Sequence, residues 1–280
     1  MRTNYLLIVV LSLFILFICS CRENSTDDVM ESIQSAEDNA LAENEFSAVF
    51  DYVNDEGENN PIEVMLENKS PDFLGLGDLL PECAEVTKDT LNKLIIINFG
   101  TTNCLCKDGR YRRGMILAVF TGKWKEIGSS VSITLENYYV NDRAVTGTKT
   151  ITRLDTNKWQ TVVINASITT EKGTVSWQSE RTVEKLEGNG TRTLWDDLYK
   201  VTGSGSGTNA NGINFTVVIV EPLIKEISIG CYKNFTAGIW TLENDNGVTM
   251  TLNYDPIGGA PCDKIAEVTV NGKTKRITLR

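Results

Sequence analysis

The cysteines beyond residue 21 are the side chains of this sequence best suited to chemistry, and there are five of them. The N-terminal segment, described below, indicates that the protein is in an oxidising compartment. Cysteines in such a compartment form disulfides by default. We predict one bond between Cys231 and Cys262, which flank the last predicted strands, and another from Cys83 to either Cys104 or Cys106. Because five is an odd number, at least one thiol is left free or bonded elsewhere.

A dense basic run follows the Cys104-x-Cys106 pair. Its members are Lys107, Arg110, Arg112 and Arg113. Nearby positive charge lowers the pKa of a thiol, so a reactive cysteine is one interpretation, but we favour a structural disulfide beside one buried thiol. The same run is a candidate anion-binding site for phosphate groups of lipid or polysaccharide. The alternatives are pairing with the acidic N-terminal segment of the chain and a simple solvated strand face.

The composition excludes several kinds of active site. The 280-residue chain contains no histidine, which excludes Ser-His-Asp and Cys-His nucleophiles and the usual zinc sites. The run Gly203-Ser204-Gly205-Ser206-Gly207 lacks the lysine and helix of a phosphate loop and instead indicates a closely packed strand. A net charge of −10 gives no general reason to bind nucleic acid. We predict a protein that is not an enzyme and has no cofactor or metal.

The N-terminus has the features of a bacterial lipoprotein signal peptide. The apolar run Leu6 to Ile18 is too short to cross a bilayer and ends in Ile18-Cys19-Ser20-Cys21, which resembles a lipobox. We predict that residues 1–20 are removed and that Cys21 carries palmitate-type acyl chains, because the small Ser20 precedes it. An ordinary secretory signal cleaved near Ser20 is the alternative.

The residue after Cys21 is Arg22 rather than an aspartate. By resemblance to lipoprotein sorting in bacteria with two membranes, this favours an outer-membrane location, facing either the periplasm or the cell surface. Both locations belong to the oxidising cell envelope, where disulfides persist.

Residues 21–60 are predicted to form an acidic tether between the anchor and the body of the protein. Residues 22–60 hold twelve acidic side chains and one basic one, whereas residues 61–280 hold 25 of each. We interpret residues 22–34 as a flexible linker. Apolar residues at helical spacing then predict an amphipathic helix near 36–54, which docks on the body or engages a partner; we favour docking. These residues are Ala42, Phe46, Val49, Phe50 and Val53.

Residues 61–280 are predicted to form an all-β body. Apolar and polar residues alternate at 131–135, 162–168, 213–219 and 248–254, as in half-buried antiparallel strands. Asn-Gly at 189–190, 211–212, 246–247 and 271–272, together with Asp-Gly at 108–109, favours type I′ hairpin turns. We expect twelve or thirteen strands in an antiparallel meander that forms a sandwich, an open barrel or a long curved sheet.

One segment resembles the hallmark of an uncharacterised lipoprotein family of Bacteroidetes. It reads Phe99-Gly100-Thr101-Thr102-Asn103-Cys104-Leu105-Cys106-Lys107-Asp108-Gly109-Arg110-Tyr111-Arg112-Arg113-Gly114, and further matching stretches lie at 137–142, 145–149 and 268–272. The resemblance covers most of the chain from about residue 36. It implies an anchored, β-rich envelope protein, and it carries no known activity or catalytic residues.

These features predict a non-enzymatic, outer-membrane-anchored protein that binds or scaffolds an envelope protein, a lipid or a glycan. The alternative is a carrier of a lipid or other apolar ligand in a barrel or a curved sheet. A carrier requires inward-facing apolar residues that line a cavity. The candidates are Val162, Ile164, Trp177, Ile213 and Phe215.

Overall fold

The computed structural model describes residues 26–59, 80–123, 126–189, 196–228, 231 and 234–279, and within the helix it describes the side chains of residues 29–53. The signal peptide, the lipidation site Cys21 and the second residue of the 189–190 turn lie outside these ranges.

Within the described ranges, fourteen strands form one antiparallel sheet. Each strand pairs with the next along the chain, with one exception: β2 pairs with β4, and the short β3 pairs with another part of β4. This confirms the all-β meander and selects the long curved sheet, with β1 and β14 at its edges. The strands are β1 (Glu85–Asp89), β2 (Leu94–Asn98), β3 (Cys104–Leu105), β4 (Tyr111–Phe120), β5 (Ser130–Val140), β6 (Arg143–Asp155), β7 (Lys158–Thr169), β8 (Thr174–Glu187), β9 (Asp197–Thr208), β10 (Asn214–Ile227), β11 (Ala237–Asn244), β12 (Thr249–Asn253), β13 (Ile265–Val270) and β14 (Lys273–Thr278).

The helix α1 spans Thr26–Asn59 and is longer than the predicted 36–54. The linker prediction for 22–34 is therefore wrong from residue 26 onward. Apolar periodicity did not reveal the first part of α1, because its buried side is polar there: Ser32, Ser35, Asp38 and Asn39. The predicted apolar face does dock on the sheet, with Ala42, Phe46, Val49 and Val53 buried and Phe50 half-buried.

The helix crosses the strands along one face of the sheet, which we call the inner face. Its contacts run from Asn244 at the end of β11, which bonds Ser32, to Phe99 beside β2, which packs on Tyr52. Residues 32 to 52 of a helix rise about 30 Å. The eight spacings from β11 to β2 add up to about 38 Å at about 4.8 Å each. The whole 34-residue helix rises about 51 Å, so α1 is long enough to cover these strands.

Two β-bulges lie side by side beneath α1, at Asn137 in β5 and at Asn165 in β7, where the strand registers shift. Both asparagines have positive φ, as do Gly114 and Gly147 on the neighbouring strands β4 and β6. Each bulge adds a residue to its own strand, so the alternation of inward and outward side chains changes phase in β5 and β7 and these strands bend.

The bulges correct part of the sequence interpretation. In β7, Val163 points inward before the bulge, and Ala166 and Ile168 point inward after it. Val162 is therefore only half-buried and Ile164 is 47% exposed, so neither lines an interior cavity. Strict alternation along the sequence does not reveal that one additional residue, the asparagine at the bulge, changes which side chains of β7 face inward.

The hairpin turns are only partly of the predicted type. Both residues of the 271–272 turn have positive φ, as type I′ requires. At 108–109, 211–212 and 246–247 only the glycine does, so these turns are not type I′. Asn141 and Asp142 between β5 and β6 both have positive φ, in a turn that the Asn-Gly pattern missed.

Candidate functional site

The N-terminal half of α1 is held on the inner face by hydrogen bonds from strand ends and hairpin tips. Each bond has a side-chain acceptor in α1, and most of these acceptors are buried, so leaving one unpaired would be costly. The bonds are Asn244 Nδ2 to Ser32 Oγ at 3.0 Å, Asn209 Nδ2 to Ser35 Oγ at 3.0 Å, the backbone N of Ala210 to Asp38 Oδ2 at 2.8 Å, Trp177 Nε1 to Asn39 Oδ1 at 2.9 Å and Asn211 Nδ2 to Glu31 Oε1 at 2.9 Å.

The C-terminal half of α1 is held by apolar packing. The ring of Phe46 lies 5.9 Å from that of Trp177, measured between centroids, and the ring of Tyr52 lies 5.7 Å from that of Phe99. A Cβ atom on Gly147 would come within 2.8 Å of the Phe46 ring, so the backbone of β6 touches the helix directly. The two halves together make α1 part of the protein core.

Arg112 is the centre of a buried polar cluster where β3, β4, β5 and α1 meet. It is fully buried and makes two hydrogen bonds to the carboxylate of Asp108, at 2.8 and 2.7 Å. Its Nε donates to the hydroxyl of Tyr138 at 3.1 Å, and its guanidinium lies 5.1 Å from the ring centroid of Tyr52. Arg112 therefore joins the β3–β4 hairpin to β5 and to the helix.

The pKa shifts in this cluster follow from burial and pairing. Burial alone would lower the pKa of Arg112 and raise that of Asp108. The bidentate hydrogen bonds and the neighbouring charges together outweigh burial, so the pKa of Arg112 is raised and that of Asp108 is lowered. Burial raises the pKa of Tyr138, which keeps its hydroxyl protonated. The cluster is a satisfied ion pair, with no group poised to exchange a proton near neutral pH.

The other members of the basic run do not form one patch with Arg112. Arg110 Nη1 donates to Glu45 of α1 at 3.0 Å, which is the predicted pairing with the acidic segment. Arg113 pairs with Asp142 and lies 3.9 Å from the ring centroid of Tyr139, whereas Lys107 is exposed on the turn before β4. Binding of an external anion stays a prediction, and the anions that the arginines meet in the structure are carboxylates of the chain itself.

The disulfides are Cys83–Cys104 and Cys231–Cys262, with Cα atoms 5.9 and 5.4 Å apart. This confirms the pairing of Cys231 with Cys262 and selects Cys104 as the partner of Cys83. Cys106 is a free thiol and is buried, at 3% exposure. A reactive cysteine needs access to solvent or substrate, so the structure supports the interpretation of a disulfide beside a buried thiol.

Two basic side chains on the inner face were missed by the sequence interpretation. Lys149 in β6 and Arg181 in β8 are both buried against α1. A signal was present in the sequence. Lys149 is an even number of residues from Val145 and Ile151, and Arg181 from Trp177, so each basic residue is predicted on the same face of its strand as those apolar residues. A charge in the apolar phase of a strand indicates a buried ion that needs a partner.

The positions proposed to line a carrier cavity are packed or face elsewhere. Trp177 is buried against Phe46. Phe215 is also buried, and its ring lies so close to β9 that a Cβ on Gly207 would come within 3.0 Å of it. Gly203 and Gly207 in β9 sit against backbone oxygens of β8, which confirms the closely packed strand expected from the glycine run.

In the described parts of the chain, no cluster of three or more acidic, cysteine or histidine side chains is arranged to hold a metal ion. Nor does the described helix have the length and apolar character needed to cross a membrane. Comparison with protein-family models, with curated proteins and with solved structures finds no match to this chain.

Proposed function

We propose that this chain is a lipoprotein of the bacterial outer membrane, anchored through Cys21, whose sheet binds or scaffolds another envelope component without catalysing a reaction. The Bacteroidetes lipoprotein family that the 99–114 segment resembles fits this proposal. The observation that carries it is the integration of α1 into the core. The helix starts five residues after the lipobox cysteine and is packed along most of its length on the inner face.

The position of α1 sets how the sheet stands relative to such an anchor. Five residue steps from Cys21 to Thr26 span at most about 18 Å even when fully extended. The first turns of α1 contact the β9–β10 and β11–β12 hairpins through Asn211 and Asn244. Those hairpin tips would therefore face the membrane, and the opposite rim of the sheet would be presented to partners.

The absence of a catalytic constellation is an expectation from the sequence. The polar cluster around Arg112 has a structural explanation, because its hydrogen-bonding groups are directed at one another and join the β3–β4 hairpin to β5.

Acyl labelling tests the anchor. Cells expressing the wild-type chain, Cys21→Ser or the matched control Cys19→Ser are grown with an alkyne-tagged palmitate, and the outer and inner membranes are then separated. We expect label and outer-membrane recovery for wild-type and Cys19→Ser, and neither for Cys21→Ser. Label that follows Cys19, or unlabelled wild-type protein, would contradict the anchor.

Native mass spectrometry tests the binding function. The wild-type protein is gently extracted from its own envelope, with the Cys21→Ser secreted form alongside. We expect a stoichiometric extra mass of a protein, lipid or glycan on both forms. A bare polypeptide in both samples would count against a binding function and leave a structural one.

A further inference from the structure

Three basic side chains, one on each of three alternate strands, interact with carboxylates of α1. Lys149 in β6 and Arg181 in β8 are 7% and 6% exposed, and Lys225 in β10 is half-buried. Charged groups are rarely placed this deep unless they are paired, so their partners identify what the site is built to hold.

The partners in the chain are two carboxylates of α1, Glu43 and Asp51. Arg181 Nε lies 3.2 Å from Glu43 Oε1. The charges of Glu43 and Asp51 also act on both Lys149 and Lys225. Three positive charges thus interact with two negative ones, which leaves an excess of one positive charge among these groups.

Arg181 also has an unused donor. Its Nη1 is buried and has no hydrogen-bond partner, although a buried guanidinium N–H without an acceptor is costly. Lys149 Nζ donates to the backbone oxygen of Phe46 at 2.9 Å, which uses one of its three N–H groups. An anionic group with several oxygens would supply the acceptor that Arg181 Nη1 lacks.

The neighbouring strand β9 places no side chain between its backbone and the Arg181 guanidinium. Gly203, Gly205 and Gly207 occupy alternate positions of β9, and a Cβ on Gly205 would lie 3.5 Å from Arg181 Nη2. The glycine at position 205 therefore leaves room for the guanidinium beside β9.

We propose that Arg181 binds one carboxylate or phosphate group of an anionic envelope molecule, that the charges of Lys149 and Lys225 favour this binding, and that Glu43 of α1 competes with the bound group for Arg181. The inference rests on the proposed binding function and specifies the charge of its ligand. It makes no use of the lipid anchor, so its failure and that of the anchor are seen in separate experiments.

The test is a titration of the full-length protein in detergent with inorganic phosphate, at constant ionic strength. The protein carries ¹⁵N-labelled arginine, and the Nε–H signal of Arg181 is assigned with Arg181→Lys. We expect a saturable shift with a Kd in the millimolar range, weakened about fivefold or more by Lys149→Met or Lys225→Met. The matched control Arg276→Lys, on an exposed arginine of β14, should leave the shift unchanged.

The competition with Glu43 gives the sharper readout. Glu43→Gln removes the competing charge and should tighten phosphate binding several-fold, whereas Glu37→Gln, on the exposed side of α1, should not. A linear, unsaturable shift that is the same in every variant would show general ionic effects and would overturn the proposal. So would a Glu43→Gln variant that binds phosphate more weakly than wild-type.

Two further probes identify the source of the anion. Acetate replaces phosphate in one titration, and dihexanoyl phosphatidic acid, below its micelle concentration, replaces it in another. Tighter binding of the lipid than of phosphate would support the site and assign a lipid headgroup, and equal binding would support it with a free anion. If none of the three probes gives a saturable shift, the proposal is wrong.

Discussion

Lys149 should make the unfolding free energy rise with pH above neutrality. Burial lowers the pKa of its ammonium to about 8, against the attraction of Asp51 and Glu43. In the unfolded chain the same group has a pKa of about 10.4. Between these two values the unfolded chain binds more protons than the native one, so stability increases with pH. Below pH 8 the native state holds the charged, desolvated form and gains nothing from this group.

The size of the effect follows from the two pKa values. Between pH 7 and 9.5, a lysine shifted from about 10.4 to about 8 adds about 2 kcal/mol to the unfolding free energy. The pKa of Lys225 is also lowered by burial, which adds in the same direction. Burial raises the pKa of Tyr254 to about 12, so its opposing effect begins above about pH 10 and lies outside this window.

The assay is urea unfolding of wild-type and Lys149→Met, followed by tryptophan fluorescence at about pH 7, 8 and 9.5. Methionine keeps most of the volume of the side chain and removes the buried charge, so we expect the variant to be at least as stable as wild-type at pH 7. Wild-type should then gain about 2 kcal/mol relative to the variant by pH 9.5. Lys275→Met, on an exposed lysine of β14, is the control and should keep the wild-type pH dependence. A stability difference between wild-type and Lys149→Met that is the same at all three pH values would refute the reasoning.

Three further substitutions test the packing by urea or thermal unfolding. Phe46→Ala should lower the unfolding free energy by about 3–5 kcal/mol, because the ring fills the space between Trp177 and β6. The control Ser47→Ala, on the exposed side of α1, should change it by less than about 0.5 kcal/mol, and similar losses in both variants would mean that α1 is not docked. Gly147→Val should also be strongly destabilising, because the Cβ of the new side chain would lie 2.8 Å from the Phe46 ring. The control Gly212→Ala, in an open turn, should cost only about 1 kcal/mol of backbone strain, and equal losses in the two variants would exclude the close approach of β6 to Phe46. Cys83→Ser should cost about 3 kcal/mol by opening a disulfide across 21 residues. Chemical reduction of wild-type opens both disulfides and should cost at least as much, so no change on reduction would mean that the bonds are absent.

The strands, the order of the meander and the disulfide pairing of Cys231 with Cys262 were accessible from the sequence because they depend on local signals. Alternating apolar residues define strands, and cysteine positions between strands limit the possible partners. The sequence left Cys104 and Cys106 as alternatives for Cys83, because the choice depends on how β3 lies against β4.

Features that depend on contacts between distant segments were not accessible. The first part of α1 buries polar residues, and its buried Ser35 and Asp38 are recognisable only once Asn209 and Ala210 lie opposite them. Likewise, the bulge at Asn165 reverses which residues of β7 face inward. The binding site proposed around Arg181 is formed by residues from three strands and a helix. Its only signal in the sequence was a basic residue at a strand position where the alternation predicts an inward-facing apolar side chain.

Hydrogen exchange in α1 is the measurement that tests the central claim, that the segment following the anchor is built into the core of the sheet. The full-length protein is followed by mass spectrometry after transfer to deuterated buffer. We expect peptides covering residues 42–53 to be protected as strongly as those from β6 to β8, because Phe46, Val49 and Val53 are buried against the sheet. Exchange of these peptides many-fold faster than that of the strands would show a helix that stands free of the sheet and would contradict the account.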